Sequence, residues 1–198
     1  MVTTHVLWLF TILVTCHCAD VHIYPDIPGE DGLHLVPGSQ VTLSCRSSEK
    51  INWIHKSFPA EELTPKYDLY VEGEDHVSNL TIPIVSYKHV GSYMCQSTTH
   101  NKSIYIYVTD KSHLLFKPSS FDLFAALNSD VIIPCKPTHT AVDVCLYDSD
   151  YNKFTDYDPK LGFKVKDVTV FNSGYYVCEA NTTFTEKQTF HLSPAERK

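Results

Sequence analysis

The chain has 198 residues, a net charge of −7 and seven cysteines. A mildly acidic protein with no basic run is a poor partner for nucleic acid or an anionic membrane, and its length suits one large domain or two small sandwiches. Twelve Tyr and ten Phe stand beside two Trp and two Met, and no long stretch keeps the helical period, so the composition reads as all-β.

The first segment stands apart. Val6-Leu-Trp-Leu-Phe-Thr-Ile-Leu-Val14 is an almost unbroken apolar run, followed by Thr15-Cys16-His17-Cys18-Ala19. It is too short to span a bilayer. It fits the core of a secretory signal cleaved near Cys18 or Ala19, although no Lys or Arg precedes it; the alternative is a buried N-terminal strand. The stretch from Phe190 to Lys198 is polar and offers neither a membrane span nor a lipid-anchor tail. The expectation is a signal segment over 1–19 and a soluble, secreted, extracellular product that does not insert into a membrane.

The next region, 20–110, carries strand after strand. Val41, Leu43 and Cys45 alternate in Val41-Thr-Leu-Ser-Cys45, and Trp53 follows eight residues after Cys45. Further strands are expected at Asp68-Leu-Tyr-Val71, at Val77–Ile82 with Leu80 and Ile82 inward, and at Ser103–Val108. Between them His89-Val-Gly-Ser-Tyr-Met-Cys95 places Gly91, Tyr93 and Cys95 at alternate positions, on one side of a strand. A Tyr two residues before a Cys, entering a strand from a Gly turn, is the tyrosine corner of an immunoglobulin sandwich. The linker Thr109-Asp-Lys-Ser-His113 is short and lacks Gly, which predicts a fixed elbow.

The same corner recurs over 111–198, in Phe171-Asn-Ser-Gly-Tyr-Tyr-Val-Cys178, with Gly174, Tyr176 and Cys178 in register. Val131, Ile133 and Cys135 repeat the early cysteine strand. Each early cysteine is thus followed by a corner cysteine, which pairs Cys45 with Cys95 and Cys135 with Cys178, one bridge per sandwich. The fold class is therefore all-β, two tandem immunoglobulin-like sandwiches. Cys145 is left over. Alternation in Val142-Asp-Val-Cys-Leu146 turns Val142, Val144 and Leu146 inward, so Val144 stands where the first domain has Trp53. Cys145 reads either as a half-covered inert thiol or as the source of an intermolecular disulfide. The apolar residues of Leu114–Phe116 and Phe121–Phe124 exceed what one edge strand buries; they fill an interdomain contact or form an exposed binding patch.

Three sequons, at Asn79, Asn101 and Asn181, mark faces expected to be solvated and sugar-covered at strand edges or turns. No catalytic residue, cofactor or metal ligand set emerges. There is no phosphate loop, GxSxG or HExxH motif, no two His stand at i, i+4, and the Asp/Glu clusters at 72–75 and 148–158 read as solvated turns.

Val131-Ile-Ile-Pro-Cys135, Tyr157-Asp-Pro-Lys-Leu-Gly-Phe163 and Tyr176-Val-Cys-Glu-Ala180 together resemble the second immunoglobulin domain of the platelet-derived and vascular endothelial growth factor receptors, in which the core Trp is likewise missing. Ser103-Ile-Tyr-Ile-Tyr-Val-Thr-Asp110 resembles the end of those receptors' first domain. The resemblance implies a protein partner, a dimeric cystine-knot growth factor, bound through a mostly apolar face of the second domain. Carried over by position, Leu115, Phe116, Pro118 and Phe121 fall at the ligand contact, with Tyr147 a further candidate. It also implies a receptor-like protein, either a soluble form that sequesters its ligand or the ligand-binding part of a longer receptor. The rival reading is an adhesion or immune-recognition protein built on the same frame.

Overall fold

The computed structural model describes residues 20–27, 32–55 and 64–196. The signal segment expected over 1–19, with Cys16 and Cys18, lies outside the described residues.

The N-terminal sandwich has two four-stranded sheets. One runs β1 (His22–Tyr24), β3 (Val41–Ser47), β6 (Asp75–Ile82), β5 (Lys66–Glu72); the other runs β2 (Leu33–Leu35), β8 (Asn101–Val108), β7 (Gly91–Gln96), β4 (Asn52–Ile54). Alternation sends one set of side chains between the sheets: Val41, Leu43 and Cys45 from β3, Leu80 and Ile82 from β6, Tyr93 and Cys95 from β7, Ile104, Ile106 and Val108 from β8, all buried. The Cys45–Cys95 disulfide ties the two sheets. Trp53 packs half-buried against this core, and its indole N–H donates to the Ser78 carbonyl at 3.3 Å.

The C-terminal sandwich pairs a small sheet, β10 (Val131–Ile133), β13 (Gly162–Val165), β12 (Tyr157–Asp158), with a larger one, β11 (Asp143–Tyr147), β14 (Gly174–Asn181), β15 (Thr185–Ala195), β9 (Asp122–Ala126). Cys135–Cys178 joins them. Leu146 and Val142 are buried and Val144 packs against the same core, so the position that Trp53 holds in the first sandwich is filled here by aliphatic side chains. Pro134 has no N–H and ends β10 after three residues. Gly162 enters β13 at φ +119°, where a Cβ would stand 2.1 Å from the Ile133 carbonyl oxygen. Only glycine allows the two strands to approach this closely.

Both corners are built alike. A 3-10 turn precedes each, Tyr87–His89 and Val170–Asn172, and the residue before each turn bonds across it. The Ser86 N–H donates to His89 Nδ1 at 3.0 Å; the Thr169 N–H donates to Asn172 Oδ1 at 2.8 Å. The tyrosine hydroxyls then close the turns, Tyr93 donating to the His89 carbonyl at 3.0 Å and Tyr176 to the Asn172 carbonyl at 2.9 Å.

The segment after the linker takes the first of the two readings left open for it, the interdomain contact. Leu114 and Leu115 are buried in the second core, whereas Phe116 packs into the first with Lys136 Nζ 4.2 Å above its ring. Instead of a leading strand, Leu115 forms one antiparallel bridge, to Pro137. Backbone bonds run Val108 N–H to Thr138 O at 2.7 Å and Phe116 N–H to Lys136 O at 2.9 Å. The Glu186 carboxylate accepts the Leu114 and Leu115 N–H groups at 2.6 and 3.2 Å. In the linker, Asp110 accepts the Ser112 N–H at 2.7 Å and the His113 ring stacks on Tyr87 at 3.7 Å. These bonds give the elbow its physical basis. On the outer face of β8, Tyr105 and Tyr107 are buried. Burial pushes the Tyr105 hydroxyl pKa well up, and Tyr107, Tyr157 and Asp158 add to it, so β12 lies close to that face.

Two outcomes follow from these bonds. Tyr176→Phe leaves the Asn172 carbonyl without its donor and is expected to cost about 1 kcal/mol, read as a lower urea midpoint for the oxidised protein. The second concerns His139. Burial first, and the neighbouring His34 second, lower its pKa. The unfolded chain therefore takes up this proton before the native state does, so the stabilisation is complete above about pH 6.5 and falls away below it. His139→Gln is expected to flatten the loss of Tm on acidification, measured by scanning calorimetry from neutral to mildly acidic pH.

Candidate functional site

Cys178 and Tyr176 point into the core, so Tyr175, Val177 and Glu179 of β14 point out. The cross-strand register extends this outer face: Tyr147 stands opposite Val177 and Cys145 opposite Glu179, Lys187 opposite Glu179, Thr189 opposite Val177 and His191 opposite Tyr175, and Asp122 opposite His191. The face is aromatic at one end and ionic at the other. The Tyr175 and His191 rings are 4.9 Å apart, Tyr175 is 60% exposed, and Phe124 of the adjoining β9 is exposed beside them. At the ionic end Lys187 Nζ is 2.7 Å from Glu179 Oε2. Lys187 lowers the Glu179 pKa and Glu179 raises that of Lys187. Cys145 lies between Tyr147 and Lys153 and raises the pKa of both. Asp148 accepts the Asp150 and Asn152 N–H groups at 2.9 and 2.8 Å, and the turn they form holds Tyr151 86% exposed.

Of the residues expected at a ligand contact, Tyr147 alone lies on this face. Pro118 is half-buried, and Phe121 packs on Phe190 with ring centroids 5.4 Å apart. Leu115 and Phe116 are only 1% and 8% exposed. Withdrawing Phe116 from its core would cost about 1.5–3 kcal/mol, so neither is a surface contact in this conformation. Tyr175 and Tyr151 were missed. The signal for Tyr175 was present, because a corner that buries Tyr176 must expose its neighbour. Asn101 opens β8 and is exposed. Asn181 lies at the end of β14, where the Thr185 hydroxyl donates to its Oδ1 at 2.7 Å. Asn79, expected at an edge or turn, sits mid-strand in β6 between Ser44 and Asp68 and is half-buried.

Among the described residues, no group of three or more His, Cys, Asp or Glu side chains could hold a metal ion. A cleft of about 220 Å³ is lined by Tyr105, Lys102, Asp26 and Lys160, and a groove of about 510 Å³ runs along the linker between Val36 and His113. A sheet face with an exposed Tyr175, a half-buried Tyr147 and paired charges has the make-up of surfaces that contact proteins.

These features define a tandem immunoglobulin-sandwich protein with an open sheet face on its C-terminal sandwich. Residues 32–108 match the immunoglobulin domain family. The chain is 29% identical over 191 residues to platelet-derived growth factor receptor beta of Takifugu rubripes, covering 88% of this chain and 18% of that protein. It is 25% identical over 178 residues to platelet-derived growth factor receptor alpha of Homo sapiens, covering 82% and 16%. It is 29% identical over 133 residues to mast/stem cell growth factor receptor kita of Danio rerio, covering 66% and 13%. Its sandwiches are immunoglobulin domains similar to those of platelet-derived growth factor receptors, and the chain spans less than a fifth of the length of these relatives. The N-terminal eight immunoglobulin domains of Down syndrome cell adhesion molecule superpose with a TM-score of 0.63 at 16% identity, covering 89% of this chain and 24% of that one, a likeness of fold. As receptor-like ectodomain units carrying two disulfides, the domains are extracellular.

Cys145 is free and half-buried. Native protein is expected to react with a maleimide at Cys145 more slowly than a peptide thiol does, and Cys145→Ser is expected to keep both disulfides by peptide mapping.

Proposed function

We propose that the protein is a secreted growth-factor-binding module: its C-terminal sandwich captures a dimeric cystine-knot growth factor, and in free form the module acts as a decoy that withholds the ligand from signalling receptors. The observation that carries this reading is the outer face of β11, β14, β15 and β9, where Tyr147 and Tyr175 occupy neighbouring strands. Tyrosines are favoured at interface hot spots because a large, partly polar surface is fixed by few rotatable bonds. Kinship with growth factor receptors over most of the chain supports the class of partner. The net charge of −7 weakly favours a basic ligand. The same reading includes a signal removed over 1–19, domains over 20–110 and 111–198, and sugar on Asn79, Asn101 and Asn181. Glycan at Asn181 would flank the ionic end of the face and leave the aromatic end open.

The test is binding of the purified protein to a panel of immobilised cystine-knot growth factors, with Tyr147→Ala and Tyr175→Ala alongside. Saturable binding is expected, weakened by more than about 2 kcal/mol, some thirtyfold, in at least one variant. Absence of binding to every member would overturn the reading and leave adhesion in its place.

A further inference from the structure

The N-terminal sandwich presents an edge that nothing described here covers. β5 pairs with β6 on one side, and among the described residues no strand pairs with its other side. It is seven residues long and exposed throughout, with Leu69 66%, Val71 62%, Tyr67 46% and Tyr70 46% exposed. Such an edge offers a row of unpaired N–H and C=O groups, which proteins commonly blunt by shortness, Pro or bulges. β5 has none of these within it, and the charges it does carry, Lys66, Asp68 and Glu72, another common safeguard, meet no like charge in a self-pairing centred on Leu69.

Its sequence, Lys66-Tyr-Asp-Leu-Tyr-Val-Glu72, is self-complementary. In an antiparallel pair centred on Leu69, Lys66 stands opposite Glu72 of the second copy, Tyr67 opposite Val71, Asp68 opposite Tyr70 and Leu69 opposite Leu69. Alternation then sorts these pairs by face. The charged and polar pairs fall on one side, and the Tyr–Val and Leu–Leu pairs on the other. Sliding the register by two residues either way sets Asp68 against Asp68 or Asp68 against Glu72, and like charges directly opposite are unfavourable. Sliding by one sets polar residues against apolar ones. One register therefore satisfies both faces.

We propose that two copies of this chain associate through β5 into a two-fold dimer with a continuous sheet across the contact. Each copy keeps its own Arg46–Glu72 ion pair beside the new Lys66–Glu72 contact, and His55 holds the Tyr67 hydroxyl in place. A glycan on Asn79, one strand in from the edge, would stand off the sheet surface, whereas the contact extends within the sheet plane.

The test is sedimentation velocity of the full secreted chain from micromolar to near-millimolar concentration. The parent is expected to show a concentration-dependent monomer–dimer equilibrium. Lys66→Glu and Glu72→Lys alone each create two like-charged pairs per dimer and are expected to weaken it about tenfold or more. An equal mixture of the two variants restores opposite charges at both pairs and is expected to recover association as a heterodimer. Leu69→Lys, with native-like circular dichroism, is expected to be monomeric. A parent that stays monomeric throughout, single variants that dimerise like the parent, or a mixture that fails to recover would each overturn the proposal.

Discussion

The burial of Tyr176 and Cys178 at alternate positions of one strand sets most of what this molecule can do. Once the disulfide crosses to the opposite sheet and the tyrosine hydroxyl closes the turn, β14 cannot rotate or slip without exposing its core side. The outward residues Tyr175, Val177 and Glu179 are then fixed as well. Because β11 and β15 pair with β14 in one register, so is every side chain beside them. The face proposed for binding is the reverse side of the core, and its composition can change with little effect on stability while the inward set stays apolar.

The junction obeys a different logic. Three consecutive residues are divided between two cores: Leu114 and Leu115 turn one way and Phe116 the other. A loop carrying that much apolar surface could have served as a contact patch. Instead it is consumed holding the sandwiches together, with Thr138 bonded to both sides of the linker: its N–H and hydroxyl donate to Leu114 and His113, and its carbonyl accepts from Val108. Lys136 sits above Phe116 and its pKa is lowered by burial. The cost of covering a cation there is offset in part by the ring beneath it.

This division explains what the sequence could and could not disclose. The corners, the disulfide pairing and the inward sets of β3, β6 and β14 follow from period-two alternation around cysteines, a strictly local signal. That Tyr147 turns outward was legible because it lies one step past the inward Leu146 on the same strand. Leu115 and Phe116 stood at the ligand contact only by position in the resembling receptors; apolar character left open whether they filled an interdomain contact or a patch, because it says that a residue will be covered and not by what, and the covering surface comes from strands far away in the chain. The Tyr157–Phe163 series carried the likeness to the receptors, yet its place beside β8 depends on how two domains meet, which alternation within either domain does not encode. Asn79 was misread for a related reason, since a sequon marks an acceptor site without saying whether its strand is central or at an edge.

The two surfaces proposed for contact lie on different sandwiches and make compatible demands. β5 belongs to the sheet of the N-terminal sandwich opposite the one containing β8, and it is β8 that approaches the C-terminal sandwich through Tyr105 and β12. Pairing through β5 therefore leaves the outer face of β11, β14, β15 and β9 free. A two-fold dimer would present two such faces related by the same axis. A ligand that is itself a two-fold dimer offers two equivalent sites. If the spacings match, the second contact forms within an already joined complex, and avidity exceeds the affinity of either face by orders of magnitude. If they do not match, each copy binds alone and mutation of the edge leaves ligand affinity unchanged. The geometry of one weak contact on the N-terminal sandwich would then decide how tightly the other sandwich holds its partner.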